Sequence, residues 1–276
     1  MENGEKQRVA RGEFSPAAGA TGAMAEAAAD NETLGWFSPS YTKSRSVRLE
    51  PAAISANRCV GFFHHAPEVE HYRLLRTQIQ QRAAEKGGNT LMVTSSVPDE
   101  GKTLTAINLA FTFAKEFKQT VLLVDCDLRK QKIHEYLGYQ SERGLIDYLL
   151  DDVPISDVMT WPGIEKLTLI SGGRTTFGSS ELLGSHRMKE LVDDMKSRYP
   201  NRFIIFDVPP VLSTADALAF APLVDHILMV VRAGSTSVQD INKSLQQLPR
   251  EKIIGTVLNR QKFKADGYGS YYQKKK

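Results

Sequence analysis

The stretch that decides the fold is Thr90-Leu-Met-Val-Thr-Ser95, then Ser96-Val-Pro-Asp-Glu-Gly101-Lys102-Thr103, then a helix-forming run to Phe117. Its first six residues carry no charge, and a run of that kind bounded by a turn reads as a strand buried on both faces. Working outward, similar runs recur at Val121–Val124, Leu167–Ile170, Phe203–Phe206, His226–Val231 and Ile253–Leu258. Helical candidates lie around and between them: Glu68–Lys86, closed by Gly87-Gly88, then Lys102–Phe117, Ser180–Arg198, Thr214–Ala221 and Val238–Leu248. In Ser180–Arg198 the apolar Met188, Leu191, Val192 and Met195 recur at three-to-four spacing, one face of a helix. Near-continuous apolar strands alternating with helices predict an α/β fold, a mostly parallel central sheet with helices on both faces.

On such sheets ligands bind beyond the carboxyl ends of the strands. Ser96–Thr103 occupies that position and leads directly into a helix, whose N-terminal N–H groups favour anions. This is the context of a P-loop, and the expected architecture is that of a P-loop NTPase. The loop residues Ser96, Val97, Pro98, Asp99, Glu100, Gly101, Lys102 and Thr103 are then the nucleotide-binding set. Lys102 would reach the β- and γ-phosphates, and the Thr103 hydroxyl would ligate Mg²⁺. Ser96 stands where such loops commonly have their first glycine. Two acids in an anion-binding loop predict that the side chains of Asp99 and Glu100 both point outward. Asp125 and Asp127 end the second long strand, and Asp207 ends a later one. A strand-terminal Asp is most often a helix cap or turn former. Three of them around one Gly-Lys-Thr favour a site for ATP and Mg²⁺. Lys102, Asp125, Asp127 and Asp207 are its catalytic candidates; Thr103 and the same three aspartates are its metal-ligand candidates.

These motifs resemble those of the bacterial tyrosine kinase (BY-kinase) family, cytoplasmic autokinases of capsule and exopolysaccharide export related to partition-type ATPases. The likeness rests on the deviant loop, Asp125-Cys-Asp127-Leu-Arg129 and Asp207-Val-Pro209-Pro210, and runs from about Glu70 to Arg260. Where the family loop has Pro-Gly, this chain has Pro98-Asp99. Glu70-His-Tyr-Arg73-Leu-Leu-Arg76-Thr77 is similar to a segment at the subunit interface of the family's ring-shaped oligomers; read alone, it is a solvated helix face with an i,i+3 Glu–Arg pair. Asp266-Gly-Tyr268-Gly-Ser-Tyr271-Tyr272-Gln-Lys-Lys-Lys276 is similar to the C-terminal tyrosine cluster. The resemblance implies ATP-dependent autophosphorylation in trans of Tyr268, Tyr271 and Tyr272, with Asp125 assisting loss of the tyrosine proton. It also implies that Asn259 contacts adenine, and it leaves Arg129 to a phosphate or a neighbouring subunit. The partners it implies are further copies of the chain in a ring, a membrane-embedded polysaccharide co-polymerase as activator and a tyrosine phosphatase. The protein is then expected to be cytoplasmic, recruited through a partner to the inner face of the cell membrane. The rival reading is a partition-type switch or a scaffold ATPase without kinase activity. Partition-type loops carry an extra lysine near their start, and Thr94-Ser-Ser-Val97 has none.

The remaining sequence sets the expected domain limits: a flexible leader over 1–64, an ATPase domain over 65–260, and a flexible basic tail over 261–276. Ala17–Ala29 has Met24 as its only large apolar residue, too little to offset the entropy of ordering. Leu34, Trp36 and Phe37 form one small apolar island there, and His64 and His65 lack ligand spacing. Two cysteines, Cys59 and Cys126, exclude a disulfide framework or a four-thiolate metal site, and Cys126 reads as a buried strand-end residue. The net charge is +3, but Arg260–Lys276 alone carries +5 and the rest −2, so no basic field favours nucleic acid. Phosphorylation, at about −1.5 to −2 per tyrosine, would bring that tail close to neutral.

Overall fold

A computed structural model describes residues 44–63, 66–116, 118–199 and 201–261. The apolar island, His64, His65 and the tyrosines of the tail lie outside the described residues. The strands are β1 (Arg45–Ser46), β2 (Thr90–Ser95), β3 (Thr120–Asp125), β4 (Met159–Trp161), β5 (Leu167–Ile170), β6 (Arg202–Asp207), β7 (His226–Arg232) and β8 (Ile253–Asn259). They form one sheet in the order β1-β4-β5-β3-β6-β2-β7-β8, parallel throughout except for the antiparallel β4–β5 pair. The expected α/β architecture is therefore present.

Both faces of the sheet are buried, which explains why its central strands read as uninterrupted apolar runs. Along β2, β3 and β6, Leu91, Val93, Val121, Leu123, Phe203 and Ile205 face one core, and Met92, Leu122, Val124, Ile204 and Phe206 face the other. The second core is covered by the helix His186–Arg198 through Met188, Leu191, Val192 and Met195. That helix was expected as one span from Ser180. It is instead preceded by a separate turn of helix, Ser179–Leu183, because Gly184 ends the first and Ser185 caps the second, its hydroxyl accepting from Met188 N at 3.1 Å.

The first core is built around the helix Lys102–Ala114, which is buried on nearly every side. One side meets the sheet, and Phe113 stacks on Phe203 with centroids 4.5 Å apart. The helix Val69–Lys86 covers a second side. A third is covered by residues 44–63, where the expectation of a flexible leader to residue 64 has to be corrected. Here Pro51–Ala56 is helical, Val60–Phe62 is a 3₁₀ turn, and Ile54 and Cys59 are fully buried. The buried Asn108 explains the docking: its Oδ1 accepts from Gly61 N at 2.8 Å, and its Nδ2 donates to Arg58 O at 3.3 Å. Gly61 is required by the close approach, since a Cβ there would lie 2.7 Å from Asn108 O. A buried amide without those partners would be costly, so Asn108 and residues 58–61 require one another.

Cysteine labelling tests this packing. Burial pushes the Cys59 thiol from 9.0 up to about 12, which lowers its thiolate fraction at pH 8 roughly 10³-fold. Burial, then the neighbouring Asp125, also raises Cys126. Iodoacetamide at pH 8 is expected to modify neither thiol in the native protein and both in denaturant. Modification of native Cys59 at the rate of a free thiol would show that residues 44–63 do not pack as described.

Candidate active site

The order β3-β6-β2 places three strand ends side by side. Register pairs Asp125 with Asp207, and Val93 with Asp207, so the loop after β2 and the aspartates of β3 and β6 share one edge. Lys102, the first residue of its helix, projects into this group. Its Nζ lies 3.0 Å from Asp127 Oδ2, 3.1 Å from Asp207 Oδ1 and 3.2 Å from Thr103 Oγ1. The Thr103 hydroxyl donates to Asp207 Oδ2 at 2.6 Å. Burial alone would lower the Lys102 pKa, but Asp207, Asp127 and Asp125 together hold it above its ordinary value. Burial raises Asp207, offset in part by Lys102 and Thr103.

Asp125 behaves differently from its two neighbours. Its Oδ1 accepts from Asp127 N, and its Oδ2 accepts from Lys132 N and Ile133 N, all at 3.1 Å. The side chain is thus turned into its own loop, where it fixes the backbone that presents Asp127. Burial, then the charge of Asp207, pushes its carboxyl up to about 8.

The loop's path is held by two residues in left-handed conformation, Asp99 (φ 63°) and Gly101 (φ 94°). Asp99 stands where the resemblance has glycine, and Asp is among the few side chains that tolerate this region. The departure at Pro98-Asp99 therefore keeps a glycine-like bend. Gly101 has a further constraint, because a Cβ there would meet Asn259 Nδ2 at 2.2 Å.

The expectation that both acids point outward holds for Asp99, which is exposed, and fails for Glu100, which is 1% exposed. Glu100 Oε2 accepts from Val97 N at 2.8 Å; its Oε1 accepts from Arg232 N at 3.2 Å and from the Thr236 hydroxyl. Its main-chain carbonyl accepts from Asn259 Nδ2 at 2.8 Å. Glu100 therefore fastens the loop to the ends of β7 and β8. Sequence reasoning missed this because the partners lie more than 130 residues away. Asn259 is likewise a clamp on the loop. It also lines a cleft of about 1260 Å³, together with Gly101, Leu104, Thr105, Arg232, Ala233 and Gly234.

Elsewhere the expected residues divide. Glu70 and Arg73 form the exposed i,i+3 pair, at 3.0 Å. Arg76 does not face outward with them. It pairs with Glu116 at 2.6 Å and donates to Thr112 O at 2.8 Å, tying its helix to the end of the loop helix. Within the chain, then, Arg76 joins two helices, whereas Glu70 and Arg73 lie on the outer face. Cys126 is fully buried, as expected. Arg129 reaches across the top of the sheet, its Nε donating to Ser179 Oγ at 2.7 Å.

The donor set fits a hard cation of small coordination demand. Among the described residues no three His, Cys, Asp or Glu side chains converge to hold a metal by themselves. Thr103 with Asp127 and Asp207 is the kind of partial set Mg²⁺ takes, one or two carboxylates completed by phosphate oxygens and water. Asp125, expected among the ligands, supports that set from behind.

Residues 98–259 match the family described as an AAA domain. The chain is 32% identical to the tyrosine-protein kinase YwqD of Bacillus subtilis over 205 residues, 74% of this chain and 85% of YwqD. It is 33% identical to the tyrosine-protein kinase Wzc of Salmonella typhimurium over 205 residues, which make up 74% of this chain but only 28% of Wzc. The solved kinase domain of the Escherichia coli tyrosine kinase Etk superposes with a TM-score of 0.65 at 32% identity, covering 72% of this chain and 79% of that one. Among the described residues no helix is long and apolar enough to cross a membrane. With its loop lysine held between strand-end aspartates on a largely parallel sheet, this chain belongs to the bacterial tyrosine-protein kinase family.

Proposed function

We propose that the protein is an ATP-dependent tyrosine autokinase that phosphorylates Tyr268, Tyr271 and Tyr272 of an adjacent copy. The observation that carries this reading is the placement of Lys102 and Thr103 against Asp127 and Asp207 at the mouth of the loop. Lys102 contacts the β- and γ-phosphates, and the cleft beside Asn259 receives the adenine. Mg²⁺, held by Thr103, Asp127 and Asp207, supplies charge neutralisation for the phosphates when bound.

In the reaction the tyrosine oxygen bonds to the γ-phosphorus, the bond from that phosphorus to the β-bridging oxygen breaks, and ADP leaves with the electron pair. Such a transfer asks mainly for alignment and charge neutralisation. The tyrosine proton passes to a carboxylate. Asp125 has a suitably raised pKa but is fully buried with both oxygens bound to backbone. Asp127, 8% exposed, is engaged by Lys130 N and Lys102 and is assigned to the metal, so Asp125 is the acceptor in this reading once its loop gives way. Glu70, Arg73 and the 59%-exposed Leu74 supply a surface suited to contact between copies. The proposed setting is control of exopolysaccharide or capsule polymerisation and export at the inner face of the membrane. There a membrane-embedded co-polymerase acts as activator, and a tyrosine phosphatase reverses the modification.

The test is incubation with labelled ATP and Mg²⁺, with and without an activating partner fragment, followed by peptide mass spectrometry. Label is expected on Tyr268, Tyr271 and Tyr272, and on none of them in Lys102→Met. No label on these tyrosines, even with the activator, would reduce the protein to a switch or scaffold ATPase.

A further inference from the structure

Asp216 begins the short helix Asp216–Phe220 and is fully buried, yet among the described residues neither of its carboxylate oxygens has a hydrogen-bond partner. The cation facing it is Arg129, whose Nε stands 3.8 Å from Asp216 Oδ2. A carboxylate that gains no hydrogen bond from burial is costly to keep, and an apolar side chain would fill the space without that cost. Its remaining use is the field it exerts on the guanidinium.

The arginine is fixed from two further sides. Nε donates to Ser179 Oγ at 2.7 Å, and Nη2 donates to Phe177 O at 3.1 Å. Ser179 opens a helix that packs against the one Asp216 begins, so the residues aligning the guanidinium are themselves held together. The side chain nevertheless stays 38% exposed, and Nη1 has no hydrogen bond among the described residues. Arg129 follows Asp127 by two residues, and Asp216 lies on the segment leaving Asp207. The pair therefore bridges the two loops that carry the carboxylates around Lys102. An immobilised guanidinium with a free edge is the group best shaped to receive phosphoryl oxygens. Phe177, whose carbonyl accepts from Arg129, is itself 95% exposed.

We propose that Asp216 is a positioning residue: through its charge it holds Arg129 where the guanidinium receives the oxygens of the phosphoryl group as it passes to the acceptor tyrosine. This rests on the autokinase reading and adds two residues to it. Arg129 acts on the group in transit, and Asp216 acts only through Arg129.

The experiment compares the full-length protein with Asp216→Asn, Asp216→Leu, Arg129→Ala and the double variant Asp216→Asn/Arg129→Ala. It measures kcat and KM for ATP in tyrosine labelling, Kd for ADP by calorimetry, and the melting temperature. Arg129→Ala and Asp216→Asn are each expected to lower kcat by 10- to 100-fold, with KM for ATP and Kd for ADP within threefold of the parent. The double variant is expected to be no slower than Arg129→Ala alone. Asp216→Leu, which fills the space without a charge, is expected to keep the fold and the ADP affinity and still lose kcat. Parental kcat in Asp216→Asn or Asp216→Leu overturns the proposal. So do losses that multiply in the double variant, or a fall in ADP affinity parallel to that in kcat. If the parent labels no tyrosine, the autokinase reading fails and takes this inference with it; an active parent with unaffected Asp216 variants removes the inference alone.

Discussion

Lys102→Met is expected to do more than stop catalysis. Loss of the ammonium that offsets charge on the transferring group should slow transfer about 10²- to 10³-fold or more. The same change leaves Asp127 and Asp207 facing each other at a buried site with no cation between them. Breaking a buried pair by removing one partner costs about 3–5 kcal/mol. For a chain of this size that lowers the melting temperature by roughly 6–20 °C. Asp125 and Asp207 already sit above the usual carboxylate range, and without Lys102 they rise further. A carboxyl whose folded pKa lies above its unfolded value is destabilising once the unfolded chain ionises, so stability falls as pH rises from about 4. The variant's deficit should therefore be small at pH 5 and large at pH 8, and millimolar Mg²⁺ should recover part of it at pH 8. Melting curves of parent and variant at the two pH values decide the matter. Equal stability at pH 8 would mean that the lysine is not the counter-ion of this group.

Glu100→Ala sets two effects against each other. Removing a negative charge from a phosphate-binding loop should strengthen nucleotide binding. Removing the acceptor shared by Val97 N, Arg232 N and the Thr236 hydroxyl should release the loop from the ends of β7 and β8. Leaving buried donors without an acceptor costs on the order of 1–3 kcal/mol each, and bonds to a charged acceptor lie at the strong end. The loss of order is expected to win. Kd for ADP should rise more than tenfold, and stability should fall by about 2–5 kcal/mol. Glu100→Gln keeps one good acceptor and should fall between the two. Calorimetric titration with ADP separates the outcomes, since tighter binding in both variants would show that charge outweighs the anchoring.

The parts of this molecule that were legible in the sequence are those where one residue's surroundings repeat along the chain. β2 and β5 were read to the residue because both faces of the sheet are covered, so every position had to be apolar or small. Lys102, Thr103, Asp127 and Asp207 were legible for a related reason. Each lies at the end of a strand, just past one, or in the first turn of a helix, and parallel register brings such ends together. β1 and β4, with two and three residues, are too short for a pattern to rise above the surrounding loops. Asp125 and Asp127 look alike in the sequence, and only the backbone N–H groups of Lys132 and Ile133 draw one inward. Arg76 reads as one more charge on a solvated face until Glu116 is seen beside it. The docking of residues 44–63 did leave a trace: a helix as apolar on all sides as Lys102–Ala114 needs more cover than one sheet and one helix provide.

The contact of Lys102 with Asp127 and Asp207 places a counter-ion between carboxylates of two different strand ends. Under the proposed function, loading such a site would be an ion exchange, in which Lys102 would give up its carboxylates to a cation and turn to the phosphates. Such an exchange would favour metal and nucleotide arriving together. A phosphate alone must draw the lysine from its aspartates, and a cation alone must displace it with nowhere else for it to go.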